Sequence, residues 1–495
     1  FVVIKQQVSK PNSTSVMTAN LDKIHEMYKL LNDKDHVNHD ILSNFGQFGL
    51  AQTLRRLNME KQQGVSAVQL IMALCLFRIN GESIFSMYRK NFHDLLTTGK
   101  NCYYRMLNRE TMDWRTLLLR MAVRFLALLK KENAEETKQP KCYIIDDTTL
   151  EKTGFSIEGI SRVFDHVTHK YVLGFKLNLL AFFDGRSTIP VDFTLHREKG
   201  SEKNYGLSEE ECSRQYSKKR SSENADAVRF KELDSKKNDA AIEMMKRAWK
   251  AGIRAAYALC DTWYTSEKFI HDVRTIGGGK VHFLGMAKMG KQRYKVRGFL
   301  ENAYELIARY ERTETKNCRK YNCKYFYVTG FMGEEVVRIF FVKYGMNHNW
   351  NILITSDITM NFEKCFETYQ IRWNIEVLNK ESKQYLGLGT YQGRDFDGQV
   401  ADCTLCYMTY LVMAVDKRLN DYETYGALFE HQREDLMALT LWKRILDIIM
   451  RIMKALAELI GISAEELVET LIRDEKSLTK YEVMLNALEE YEEAA

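Results

Sequence analysis

The chain has 495 residues, 45% of them hydrophobic, with only 3 Pro and a net charge of +6. That composition excludes a disordered or collagen-like chain, and the length exceeds what one core normally holds, so two or more domains are expected. The mildly basic balance is compatible with a nucleic-acid partner without requiring one.

Residues 1–16 read as an upstream extension, with Met17 as a natural start. Residues 17–138 read as a helical region. "GVSAVQLIMALCLFRIN" and "MDWRTLLLRMAVRFLALLKK" carry helical apolar spacing without strand-like alternation. A polar linker, "ENAEETKQPK", closes this region with Pro140.

The character then changes. "KCYIIDDTT" is a short β-branched run ending in Asp146 and Asp147. "YVLGFKLNLLAFF" and "STIPVDFTLH" follow as strands around the turn Asp184-Gly185. A long basic segment leads to a helix, "DAAIEMMKRAWKAG", and to a strand, "AAYALCD", that ends in Asp261. A further helix stops at Gly277–Gly279, and "VHFLGMAK" is a strand. Three strands, helix, strand, helix, strand is an α/β order, expected over residues 139–288. Residues 289–360 read as a β-rich insertion of hairpin strands, and residues 361–410 return to the core. Residues 411–495 read as helical. Within them "LWKRILDIIMRIMKALAELIG" is amphipathic and suits packing, as at a dimer interface, better than a membrane.

Some motifs point to less than they first suggest. The 10 Cys lack a disulfide-like density, and Cys403 and Cys406, a CxxC in an apolar helical run, read as buried free thiols of a cytoplasmic protein. His166 and His169 read as surface or hydrogen-bonding histidines on a turn. "IGGGK" lacks the spacing of a phosphate loop and is better explained as a helix stop. The apolar runs are too short for a membrane span, which needs about 20 residues.

"YQIRWNIEVLNKESKQYLG" carries the most chemistry. At about 100° per residue, Tyr369, Arg372, Glu376 and Lys383 fall within about 60° of one another, and Lys380 lies nearby. Ile371, Ile375 and Leu378 form the opposite, apolar face. An acid on this stripe and two strand-end Asp upstream are a donor set for Mg²⁺, which prefers oxygen ligands and keeps waters. Two such ions can activate an attacking oxygen and stabilise the leaving oxygen of a phosphodiester.

These residues resemble a DDE transposase of the IS4 type. The match rests on "IIDDTT" with "YVLGFKLNLLAFFDGRSTIPVDF", on "ALCDTWYTSEKFI", and on the signature Tyr-x2-Arg-x3-Glu-x6-Lys, here Tyr369, Arg372, Glu376 and Lys383. It covers residues 140 to 410. The resemblance implies an α/β, RNase H-like catalytic core interrupted by the β-rich insertion, with a helical N-terminal region (17–138) that would bind DNA and read the element end and a helical C-terminal region (411–495) that would dimerise. It implies Asp146, Asp261 and Glu376 as the metal ligands for two Mg²⁺ or Mn²⁺ ions. Asp147 competes with Asp146, since both fit Asp-x-Thr, and Asp146 is preferred. It further implies a homodimeric enzyme of the bacterial cytoplasm and nucleoid. Such an enzyme would bind double-stranded DNA at terminal inverted repeats, cut it and join it to a target, with hairpin ends as one route. A nuclease that cuts without joining and a DNA-binding protein without transposition are the competing readings. Tyr369, Arg372, Lys380 and Lys383 would meet phosphates, and Trp373 would lie near the DNA end. Lys218, Lys219 and Arg220, within the basic run Lys203–Arg254, would track the duplex. Trp350 and Trp263 are candidates for base stacking, with core packing the favoured role of both.

Overall fold

The computed structural model describes residues 45–61, 63–89, 98–130, 139–199, 203–344 and 349–419, together with Leu428. The expected extension at 1–16, the amphipathic run at 441–461 and most of the region 411–495 lie outside the described residues.

Three longer helices come first: α1 (Ala67–Ile79), α2 (Lys100–Leu107) and α3 (Trp114–Leu128). Ser66 and Gln69 form a capping box at the start of α1, and Asp113 caps α3. Four strands follow: β1 (Cys142–Glu151), β2 (Ser161–Asp165), β3 (Lys170–Phe183) and β4 (Thr188–His196). Then come α4 (Lys237–Lys250), β5 (Tyr257–Cys260), α5 (Glu267–Thr275) and β6 (His282–Ala287). The next stretch holds β7 (Arg293–Val296), β8 (Phe299–Asn302), α6 (Ala303–Glu314), β9 (Lys316–Cys318), β10 (Cys323–Met332), β11 (Glu335–Tyr344) and β12 (Asn351–Thr355). The described chain closes with α7 (Phe362–Gln370), α8 (Asn374–Leu386) and α9 (Phe396–Leu419).

One sheet runs through the unit in the order β2-β3-β1-β5-β6-β12-β11-β10-β7-β8, with β4 also on β3 and β9 on β10. β1 pairs antiparallel with β3, while β1, β5 and β6 are parallel to one another. α9 packs on β4, α1, α3 and α8. α1 is buried nearly all round, from Leu70 and Ile71 to Phe77 and Ile79, as a helix between other helices must be. The early helices therefore share a core with the sheet, and residues 44–430 form one compact unit.

Four expectations change. β1 does not end at its two Asp: it stays in register with β3 as far as Glu151 opposite Gly174. What ends there is the parallel pairing with β5, whose last pair is Ile145 with Cys260. Gly174 is required at the far end, since a Cβ there would lie 2.2 Å from the Leu150 carbonyl oxygen. Second, β2 was not expected; it reaches β3 through a turn in which His169 adopts φ 54°. Third, the 289–360 segment contains a helix, α6, capped by Asn302, and β12 pairs with β6, so its strands extend the same sheet. Fourth, "YQIRWNIEVLNKESKQYLG" is not one helix, because a 3-10 turn over Ile371–Trp373 separates α7 from α8.

A buried ion network fastens the loop 217–220. The Arg220 guanidinium donates to Glu158 at 2.5 and 2.9 Å and to Asp397 at 3.0 Å. Lys218 Nζ donates to Asp397 at 2.7 Å and to the Asn108 carbonyl at 2.9 Å. A second network joins α3 to the sheet, where Arg115 and Arg247 both meet the buried Asp192 of β4. Removing one member of a buried charged set leaves its partners uncompensated. Arg220→Ala should therefore cost about 3–5 kcal/mol in denaturant unfolding, whereas Lys219→Ala, at an exposed position, should leave the midpoint unchanged.

Candidate active site

The register of β1 on β5 builds the site. Ile145 faces Cys260 across the parallel pair, so Asp146 and Asp261 are the next residues on both chains, abreast at the C-terminal edge. Successive strand residues point to opposite faces. Asp147 accordingly points away from Asp146 and accepts from Lys237 Nζ of α4 at 2.5 Å. Asp261 is held by its own loop, its Oδ1 accepting from the Trp263 amide at 2.9 Å.

Glu376 sits in the first turn of α8, where the positive helix end favours a carboxylate. Arg372, one turn earlier, donates to Glu376 Oε1 at 2.6 Å and lies 3.5 Å from Asp146 Oδ2. One guanidinium thus links the helix acid to the β1 acid. Lys383, at the other end of α8, donates to Thr148 Oγ1 at 2.7 Å and to the Thr149 carbonyl at 3.0 Å. These contacts fix α8 along β1. Tyr369 lies under the Arg372 guanidinium, 5.9 Å from ring centre to cation.

The acids are crowded. Burial pushes Asp146 up to about 7, and Asp147 and Asp261 add to the rise, while Arg372 opposes it. Asp261 is also raised, chiefly by burial. Burial pushes the Tyr369 phenol up to about 12.

Other expected site residues divide sharply. Trp373 is 61% exposed, and Lys380 and Lys219 are exposed. Lys218 and Arg220 are not free for DNA: both are committed to the network of Glu158, Asp395 and Asp397. A basic run reads the same in sequence whether its partners are solvent or distant acids. Trp350 is only 9% exposed and packs edge-on against Phe326, so it takes the favoured core-packing role and its candidacy for base stacking is withdrawn. Trp263 goes the other way. It is 57% exposed, with Lys237 and Lys288 at 5.2 and 5.7 Å from its ring centre. Its position in the loop after Asp261 was the available signal. Lys237 and Lys288 were not foreseen at the site.

All ten cysteines are free thiols; Cys403 and Cys406 are buried in α9. Among the described residues, no group of three or more His, Cys, Asp or Glu side chains is drawn together closely enough to hold a metal ion. No helix among them is long and apolar enough to cross a membrane.

Residues 60–278 match a family described as DDE superfamily endonuclease. The match takes in Asp146, Asp147 and Asp261 and stops before Glu376. It supports a DDE-type transposase or endonuclease, and the mixed α/β sheet is consistent with that class. No curated protein matches the chain.

The raised Asp146 carboxyl has a direct consequence. Its folded value lies above the ordinary 3.8, so its contribution favours folding below about pH 4 and is lost as pH rises through about 7. In chelator, Asp146→Asn should melt at a higher temperature than the parent at pH 8. The gain should shrink towards pH 4, with an upper bound of roughly 4 kcal/mol from the size of the shift. Equal melting temperatures at pH 8 would contradict the crowding described above.

Proposed function

We propose that the protein is a metal-dependent DNA transposase of the IS4 type, with Asp146, Asp261 and Glu376 as its acidic triad. The observation that carries this reading is the convergence of Asp146, Asp261 and the Arg372–Glu376 pair at one parallel-strand edge. Both Asp lie inside the segment that matches DDE superfamily endonucleases. The order β4-β3-β1-β5-β6, with β3 antiparallel and β5 and β6 parallel to β1, supports an RNase H-like core. The strands between β6 and β12 support the reading of residues 289–360 as an insertion into it. Asp146 is favoured over Asp147 as the ligand because it shares Arg372 with Glu376, while Asp147 is paired with Lys237.

The donor set fits Mg²⁺ or Mn²⁺ chemically: hard carboxylate oxygens, two of them raised by burial so that a cation would relieve them. As the side chains stand, the positive charge between Asp146 and Glu376 is supplied by Arg372. When bound, two such ions would activate the attacking oxygen and stabilise the leaving one. The chain's own groups do the rest. Arg372, once it leaves Glu376, has the fork geometry for a phosphate. Lys383 and the β1 threonines keep α8 in place, and Trp373 and Trp263 offer exposed rings to bases of a DNA end. The substrate is double-stranded DNA at terminal inverted repeats, joined to a target after cleavage. A homodimer, two Mg²⁺ ions per site and a bacterial cytoplasmic setting complete the reading.

The test is a nicking and strand-transfer assay on labelled element ends with Mg²⁺ or Mn²⁺. Asp146→Asn and Asp261→Asn should each lose nicking by more than about 100-fold, and Asp147→Asn should retain most of it. Nicking that survives Asp261→Asn would overturn the triad. Nicking without joined products would make the enzyme a nuclease only.

A further inference from the structure

The cations of the chain fall into two groups. Many of those between Lys203 and Arg254 are neutralised from within, although Lys219, Lys231, Lys236 and Lys250 are exposed and have no carboxylate partner among the described residues. Arg214 pairs with Glu210, Lys218 and Arg220 with Asp397, Arg229 and Arg247 with Asp192, Lys237 with Asp147, and Lys246 with Glu243. The row on β7 is different. Tyr294 and Val296 turn inward and are buried, whereas Lys291, Arg293, Lys295 and Arg297 are exposed. None of these four has a carboxylate partner among the described residues. Arg297 lies over the Tyr310 ring at 5.3 Å, a contact that orients its charge without cancelling it.

Same-face residues on a strand are about 6.6–6.8 Å apart. One strand of B-DNA advances about 3.4 Å per phosphate along the axis. Arg293 and Lys295 therefore present two cations on one face, spaced to meet separate phosphates, with Lys291 in the bend before β7 and Arg297 (φ 49°) in the turn after it. The row also connects to the acidic edge. Lys288, just before it, lies over Trp263, whose amide holds Asp261. Lys295 is in register with Phe331 of β10. Two residues on, Gly333 (φ 64°) closes the β10–β11 turn directly against the Glu267 carboxylate at the start of α5, the helix that follows Asp261.

We infer that Lys291, Arg293, Lys295 and Arg297 form a phosphate-tracking surface for the duplex that leads to the Asp146–Asp261 edge. This rests on the reading of the protein as a DNA-processing enzyme, and it moves backbone contact from the Lys203–Arg254 run to β7.

The test is equilibrium binding of the full chain to labelled duplex DNA in chelator, between about 50 and 200 mM salt. Each phosphate contact contributes about 0.9 to the slope of log affinity against log salt. The triple variant Lys291→Gln, Arg293→Gln, Lys295→Gln should flatten that slope by about 2.7. Lys219→Gln, Lys246→Gln, Lys250→Gln, which removes the same charge from exposed positions of the other run, should leave it unchanged. Circular dichroism should show both variants folded. An unchanged slope in the first triple, or an equal loss in both, overturns the surface. If the parent itself does not bind duplex, the DNA-processing reading fails with it; if the parent binds and the first triple binds equally well, only the β7 surface fails.

Discussion

Everything at the candidate site depends on a parallel pairing four residues long. β1 and β5 are hydrogen-bonded from Cys142 opposite Tyr257 to Ile145 opposite Cys260, and then the ladder stops. A parallel pair is less stable per residue than an antiparallel one and needs cover on both faces. Here it is braced by the ten-residue antiparallel register of β1 on β3, and by α8 against β1. Shifting β5 by one residue would turn its side chains to the other face and take Asp261 with them. The register is held because Ala258, Leu259 and Cys260 are wholly buried and have no polar alternative.

The positions of the two carboxylates were legible because each follows a short β-branched or apolar run, although for β1 only the pairing with β5 ends there and the strand itself runs on. The stripe from Tyr369 to Lys383 was legible in part. The arithmetic of a continuous helix missed the 3-10 turn at Ile371–Trp373, which no Gly or Pro announces. Arg372 still reaches Glu376 because the turn stays right-handed and the two residues remain about one turn apart. β2 escaped notice because "SRVFD" is short and carries Arg162 and Asp165, and only its pairing with the long β3 makes it a strand.

Charge and aromatic surface were the least legible features. Arg220 and Lys219 are neighbours of the same type, yet one is buried among Glu158 and Asp397 while the other faces water. The acids that decide this lie tens to hundreds of residues away. Trp263 and Trp350, both read as core residues first, part ways for the same reason, since a tryptophan's exposure is set by what the rest of the chain packs onto it.

The way β12 joins β6 also has a mechanical meaning. Its four residue pairs, from Thr355 with Leu284 to Ile352 with Ala287, weld the β7–β11 region to the strand beside β5 by backbone hydrogen bonds. A region attached by a flexible stalk would swing and dissipate any pull on it. One attached through a sheet behaves as a beam, so a load on its far strands is carried as shear along the ladder to the strand that flanks Asp261.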